Sequence, residues 1–180
     1  MPLFGDTDDQ SEIDAATLGP VTIQRIATTL DALEVNYGTD EDGDLIAGFG
    51  GNPCWFGVAG PGDQDIAFSF SARWRGSLEG DRIGDALATV NEWNASQMFP
   101  RAMCVSDEED RLVFGADYIH DHEFGVTDLQ LRNDVSIAIT TAVNYFAFLD
   151  DRFPTSTGDD ADVDDDPSAE ERPEETTEPR

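Results

Sequence analysis

The stretch from Val135 to Leu149 is apolar on nearly every side of a helix, so it must be buried on more than one side. Its start is marked just as clearly. Thr127 and Gln130 stand three apart, the spacing of a capping box, and Val126 and Leu131 flank them as a hydrophobic staple. The helix runs to about "DDRFP" at 150–154. A chain built around such a helix has to supply a sheet face for one side and further cover for the others. With 180 residues, 39% of them apolar, one core is within reach, and a single domain is expected.

The upstream sequence supplies the parts. Ile23, Ile26, Ala27, Leu30 and Leu33 recur at helical spacing, with Thr22 placed as N-cap after Pro20. "VNYGTD" and "LIAGFG" flank "EDGD", whose Asp42-Gly43 pair favours a tight hairpin turn. Then come "PCWFGVAG", the turn "PGDQ" and "DIAFSFSARW", where Ile66, Phe68, Phe70, Ala72 and Trp74 alternate with small or polar residues. Ser77 is the expected cap of a second helix with Glu79 and Asp81 in its first turn and an apolar stripe of Ile83, Ala86, Leu87, Val90 and Trp93. Strands are expected near 101–106 and 111–119, joined by "DEED", with Leu112, Phe114, Ala116 and Tyr118 on one face. The order is helix, four strands, helix, two strands, helix: an α+β domain over 20–154, with a meandering antiparallel sheet and the helices packed on one face.

Charge excludes whole classes of partner. All ten basic residues are arginine against 39 acids, and a net charge of −29 attracts neither phosphate backbones nor anionic lipid, so no nucleic acid and no membrane partner is expected. Residues 155–180 carry eleven acids, two arginines, one valine and no aromatic residue, which reads as a disordered tail. Residues 1–19 form a shorter acidic segment without the basic start or apolar run of a secretory signal, and a cytoplasmic protein is expected. Cys54 and Cys104 are too few for a disulfide framework and have no activating neighbours, so they are expected to be buried free thiols.

Candidate chemistry is sparse. In "NEWNASQMFP", Asn91 lies four residues after Leu87 and Asn94 four after Val90, at the edges of the apolar stripe. Indole and carboxamide are poor acids and bases, so Trp93, Asn91 and Asn94 read as structural anchors tying the helix end to the turn before Pro100. Thr127 and Gln130 are anchors of the same kind. His120 and His122 are the only histidines and project to the same side of an extended segment. They read as a solvated strand end or, alternatively, as half of a metal or small-molecule site near Asp117 and Asp121. Asp40, Asp42 and Asp44 lack the glycine and glutamate of a calcium loop, since Leu45 and Gly51 occupy those places, and Gly48, Gly50 and Gly51 precede no helix that would make a phosphate cradle. No catalytic residue and no cofactor is expected.

From about Val21 to Pro154 the chain resembles the YbjN domain proteins of bacteria, especially the actinobacterial branch. The likeness is carried by "TIQRIATTLDAL", "EDGDL", "ARW", "VNEWN", "FP" at 99–100, "FGVTDLQL" and "FLDDRFP", in that order. The resemblance implies a fold similar to class I type III secretion chaperones, small α+β proteins that dimerise and hold extended partner segments. It also implies a regulator without defined catalytic residues. The expectation is therefore a non-enzyme, chaperone-like or regulatory, that binds a segment of another protein and forms a homodimer through the surplus apolar surface of its last helix.

Overall fold

A computed structural model describes residues 17–41, 43–62 and 65–154. The acidic segments expected to flank the domain lie outside the described residues, apart from 17–19, and so do Asp42 of the first hairpin turn and two residues of "PGDQ". Thr22 caps the first helix by accepting from the Arg25 amide, and α1 (Ile23–Ala32) buries Ile26 and Leu30. Four strands follow: β1 (Gly38–Thr39), β2 (Leu45–Phe49), β3 (Asn52–Ala59) and β4 (Ala67–Glu79). A single 3-10 turn leads into α2 (Ile83–Ser96), and β5 (Arg101–Ser106), β6 (Arg111–Asp121) and α3 (Asp128–Arg152) complete the chain. The order of elements is the one read from the sequence.

All pairings between strands are antiparallel, and the six stand in the order β1-β2-β3-β4-β6-β5. The meander therefore holds only from β1 to β4. The chain then crosses by α2 to the far edge and returns, so β6 rather than β5 lies against β4. Alternation does the sorting between faces. Cys54 and Phe56 of β3, Phe68, Phe70, Ala72 and Trp74 of β4, and Phe114, Ala116 and Tyr118 of β6 all point into one core, where the helices lie.

Two details of the second helix differ from expectation. Ser77 is not a helix cap: β4 continues to Glu79, with Ser77 opposite Val113, after a register shift between Arg73 and Ser77. The stripe of α2 is also narrower than its spacing predicts, because Ala86, Thr89, Val90 and Trp93 are buried while Ile83 and Leu87 are exposed. The helix lies beside edge strand β5 rather than across the sheet, and so covers less of itself.

The register shift makes room for an indole. A Cβ built on Gly76 would stand 2.3 Å from the ring of Trp74, whose side chain is fully buried and has nowhere to go. Gly76→Ala is expected to cost about 1–3 kcal/mol by overpacking, measurable as a lowered denaturation midpoint at an unchanged m-value. A midpoint equal to that of the parent would contradict this account of the shift.

Most of the surplus apolar surface of α3 is met within the chain, with Leu129 and Val143 left exposed. Leu131, Val135, Ala138, Ala142, Tyr145, Phe146 and Leu149 are buried beneath it, α1 packs along one flank, and Trp93 of α2 meets Tyr145 and Phe148 on the other. The helix is thus apolar nearly all round largely because sheet and two helices share it, which leaves less apolar surface for a second copy to cover. At its C-terminal end Asp150 accepts from the Trp74 indole at 2.8 Å and from Arg75 at 3.1 Å, fastening α3 to β4.

Candidate functional site

The anchors expected at the end of α2 take different parts. Trp93 is buried, donates from its indole to the Pro100 carbonyl at 3.0 Å, and packs at 4.9 Å from Tyr145 and 5.3 Å from Phe148. Asn94 is bonded twice to a single residue: its amide donates to the Ala102 carbonyl at 3.0 Å, and its own carbonyl accepts from the Ala102 amide at 2.9 Å. That is the pairing a neighbouring strand would make. Asn94 therefore blunts the free edge of β5 where other chains would otherwise add on. Asn91 is exposed and takes no part in this tie. Asn94→Ala should cost about 1–3 kcal/mol by stranding both backbone groups of Ala102, read as a loss of unfolding free energy in denaturant. A neutral result would show that water replaces the carboxamide fully.

The start of α3 is built as its sequence predicts. Thr127 accepts from the Gln130 amide at 3.1 Å, the Gln130 side chain accepts from the Thr127 amide at 3.0 Å, and Val126 and Leu131 are both buried. Arg25 reinforces this end by donating to the carbonyls of Gly19, Pro20 and Val126 and to Asp128. A well-fixed helix start matters for what lies in its second turn.

There Asp134 points back at the sheet. Tyr118, His120 and His122 alternate along the end of β6 and just beyond it, so their side chains share the face that meets α3. His120 Nδ1 lies 2.8 Å from Asp134 Oδ1, His122 Nε2 lies 2.7 Å from Oδ2, and the Tyr118 hydroxyl donates to Oδ1 at 2.9 Å. A carboxylate only accepts, so both facing imidazole nitrogens carry hydrogen in this arrangement. The carboxylate is buried, His122 nearly so, and His120 is 53% exposed at the mouth of a cleft of about 550 Å³ that Leu129, Gln130 and Asn133 also line. Burial, followed by the hydrogen bond and the charge of Asp134, pushes the Tyr118 phenol well above its ordinary pKa, so it stays a donor at any physiological pH.

The histidine pair thus has a third partner, but not one of the acids beside it in sequence. Asp117 is taken by Arg101 on the other face of the sheet, and Asp121 accepts from the Glu123 amide. Asp134 comes from another element. One signal was available: an acid three residues after Leu131 and four before Ala138, on the buried stripe of an otherwise apolar helix.

The remaining candidates sit in other surroundings. Cys54 is buried and its thiol is pushed up to about 12 by that burial; Cys104 is half-buried and shifted in the same direction for the same reason. Asp40 closes a turn by accepting from the Asp44 amide. No helix among the described residues is long and apolar enough to cross a membrane.

The sheet face away from the helices is left uncovered by the described residues. It carries small and polar residues along β4, Ser69, Ser71 and Arg73, but toward β5 and β6 it presents Val105 and Ile119, 56% and 57% exposed. A notch of about 230 Å³ at the edge of the sheet beside Ile119 is walled by Met98, Phe99, Arg101, Asp117 and Tyr118; Phe99 turns its ring onto Tyr118 on the helix side, and Met98 is 86% exposed.

Comparison with known proteins supports the same fold. In a crystal structure described as "YbjN, a putative transcription regulator from E. coli", the match has a TM-score of 0.63 at 14% identity and covers 75% of this chain and 96% of that one. An uncharacterized protein from Methanothermobacter thermautotrophicus matches with a TM-score of 0.51 at 10% identity, over 74% of this chain and 99% of that one. No curated protein matches the chain. A family model described as "Putative bacterial sensory transduction regulator" matches residues 22–151. That match spans well over half of the sequence, and the chain therefore belongs to the YbjN family.

Proposed function

We propose that this chain is a non-catalytic, chaperone-like regulatory protein of the cytoplasm that binds a basic or amphipathic segment of another protein on the open face of its sheet, beside β5. The observation that carries this reading is Ile119, exposed on the sheet face opposite the core residues of β6, with the exposed Met98 beside it at the wall of one notch, while Val105 is exposed on the same face farther along β5. Apolar residues exposed side by side, as Met98 and Ile119 are, mark an interaction surface more often than residues scattered singly. The charge of −29 selects the partner's sign, steering basic segments toward the protein and repelling acidic ones, while the acidic flanks keep the apolar face soluble. The family description as a regulator agrees with this reading. A second reading, of a metal or small molecule held near His120 and His122, is favoured by the convergence of both imidazoles on Asp134.

A test uses the full chain and the variant carrying Val105→Asp with Ile119→Asp, which places two acids on a solvent-facing surface and leaves the core alone. Each is purified from its native host with its bound proteins, and recovery is compared by quantitative mass spectrometry. The expected result is a protein partner whose recovery falls at least tenfold with the variant. Equal recovery by both would contradict the assigned surface. Loss of self-association alone, seen by light scattering, would show that the face is covered by a second copy instead.

A further inference from the structure

We propose that His120, His122 and Asp134 form a site for one first-row divalent cation, Zn²⁺ by preference, with an open coordination position facing the cleft. The three ligand atoms lie within 4.8 Å of one another, and among the described residues no other group of histidine, cysteine and acid side chains converges in this way. Two imidazoles and one carboxylate suit Zn²⁺, Co²⁺ or Ni²⁺. They do not suit Ca²⁺ or Mg²⁺, which require mostly oxygen ligands, and there is no thiolate to select softer ions.

The arrangement goes beyond what satisfying a buried carboxylate requires. Tyr118 and the nearly buried His122 already give each oxygen of Asp134 a donor. His120 adds a third from the cleft side, and its ring centroid lies 4.5 Å from that of His122. A half-exposed imidazole held against a buried acid at a cleft mouth is what an open metal site needs, because the ion can enter and keep one position for water. Ligands about 2.1 Å from a tetrahedral ion stand roughly 3.4 Å apart, so the present gaps of 2.8 and 2.7 Å must widen by about 0.6 and 0.7 Å. The exposed ring of His120 can make its share of that movement, and the His122 ring, 9% exposed, must make the other. On binding, each bridging N–H is exchanged for a metal–nitrogen bond, and its proton is carried by the other nitrogen of the same ring. Tyr118 remains on Oδ1 as the positioning residue of the carboxylate, and the Phe99 ring packs edge-on against it at 4.8 Å.

The test uses the full chain, stripped by chelator and titrated with Zn²⁺ by calorimetry and with Co²⁺ by visible absorption. The acids outside this site are present in every variant, so weak binding to them is a shared background. The wild type is expected to take one equivalent above that background and to give the intense absorption of four-coordinate cobalt. His120→Ala, at a half-exposed position that the fold does not need, is expected to lower Zn²⁺ affinity at least tenfold, and Tyr118→Phe by about 10–100-fold. Asp134→Asn should remove the cobalt band. Equal binding by wild type and His120→Ala, or no equivalent above background in the wild type, would overturn the proposal whether or not the Asp134 variant folds.

Discussion

Trp93→Ala is expected to lose about 3–5 kcal/mol of unfolding free energy. The indole is buried between α2 and α3, tilted against Tyr145 and Phe148, with its nitrogen bonded to the Pro100 carbonyl. Removing it opens a cavity where two helices and the following turn meet, and leaves a buried carbonyl without its donor. Thermal and denaturant unfolding of the variant measure the effect. A variant as stable as the parent that has lost a partner would make Trp93 a recognition residue instead.

Trp74→Ala should cost as much, about 3–5 kcal/mol, for a related reason. Its ring packs edge-on at 5.9 Å from Phe114 and lies 6.3 Å from Phe153, and its nitrogen holds Asp150 of α3. Gly76 gives the prediction a second arm. The cost of Gly76→Ala arises from contact with this ring, so it should largely disappear in the Trp74→Ala background. A double-mutant cycle showing simple additivity would separate the two residues and contradict the packing explanation of the register shift.

The sequence was most legible where a local signal and a buried face agreed. The start of α3 is one case, since Thr127, Gln130 and the apolar run after them all specify the same boundary. Ser77 is the reverse. It is a good cap by residue type, yet β4 runs past it, because the register shift lets Leu78 pair opposite Leu112 and bury its side chain. Pairing across the sheet outweighed local capping preference there. The position of β5 outside β6 could not be read at all, because strand order depends on which neighbour buries more surface and leaves no mark in either strand.

The candidate metal site was half legible for a similar reason. Alternation along β6 places His120 and His122 on one side, and that much follows from the backbone period alone. Their partner lies twelve residues beyond His122 on a different element, and the adjacent acids, Asp117 and Asp121, look better by proximity in sequence. Asp117 lies across the sheet because its position differs from those of the two histidines by three and by five, both odd steps. Asn94 shows the same limit. Its spacing marks it as an anchor, but only the fold reveals that it stands in for a missing strand at the edge of β5.

The proposed role of the open sheet face can be tested directly by placing a photoactivatable cross-linking residue in the full chain at Val105 or Ile119, and at Val143, an exposed position of α3, as the control. After irradiation in living cells, the account predicts a discrete protein adduct from both sheet positions and none from Val143, with the cross-linked peptide of the partner basic or amphipathic. Adducts that form equally from Val143, or no adduct from either sheet position, would contradict it.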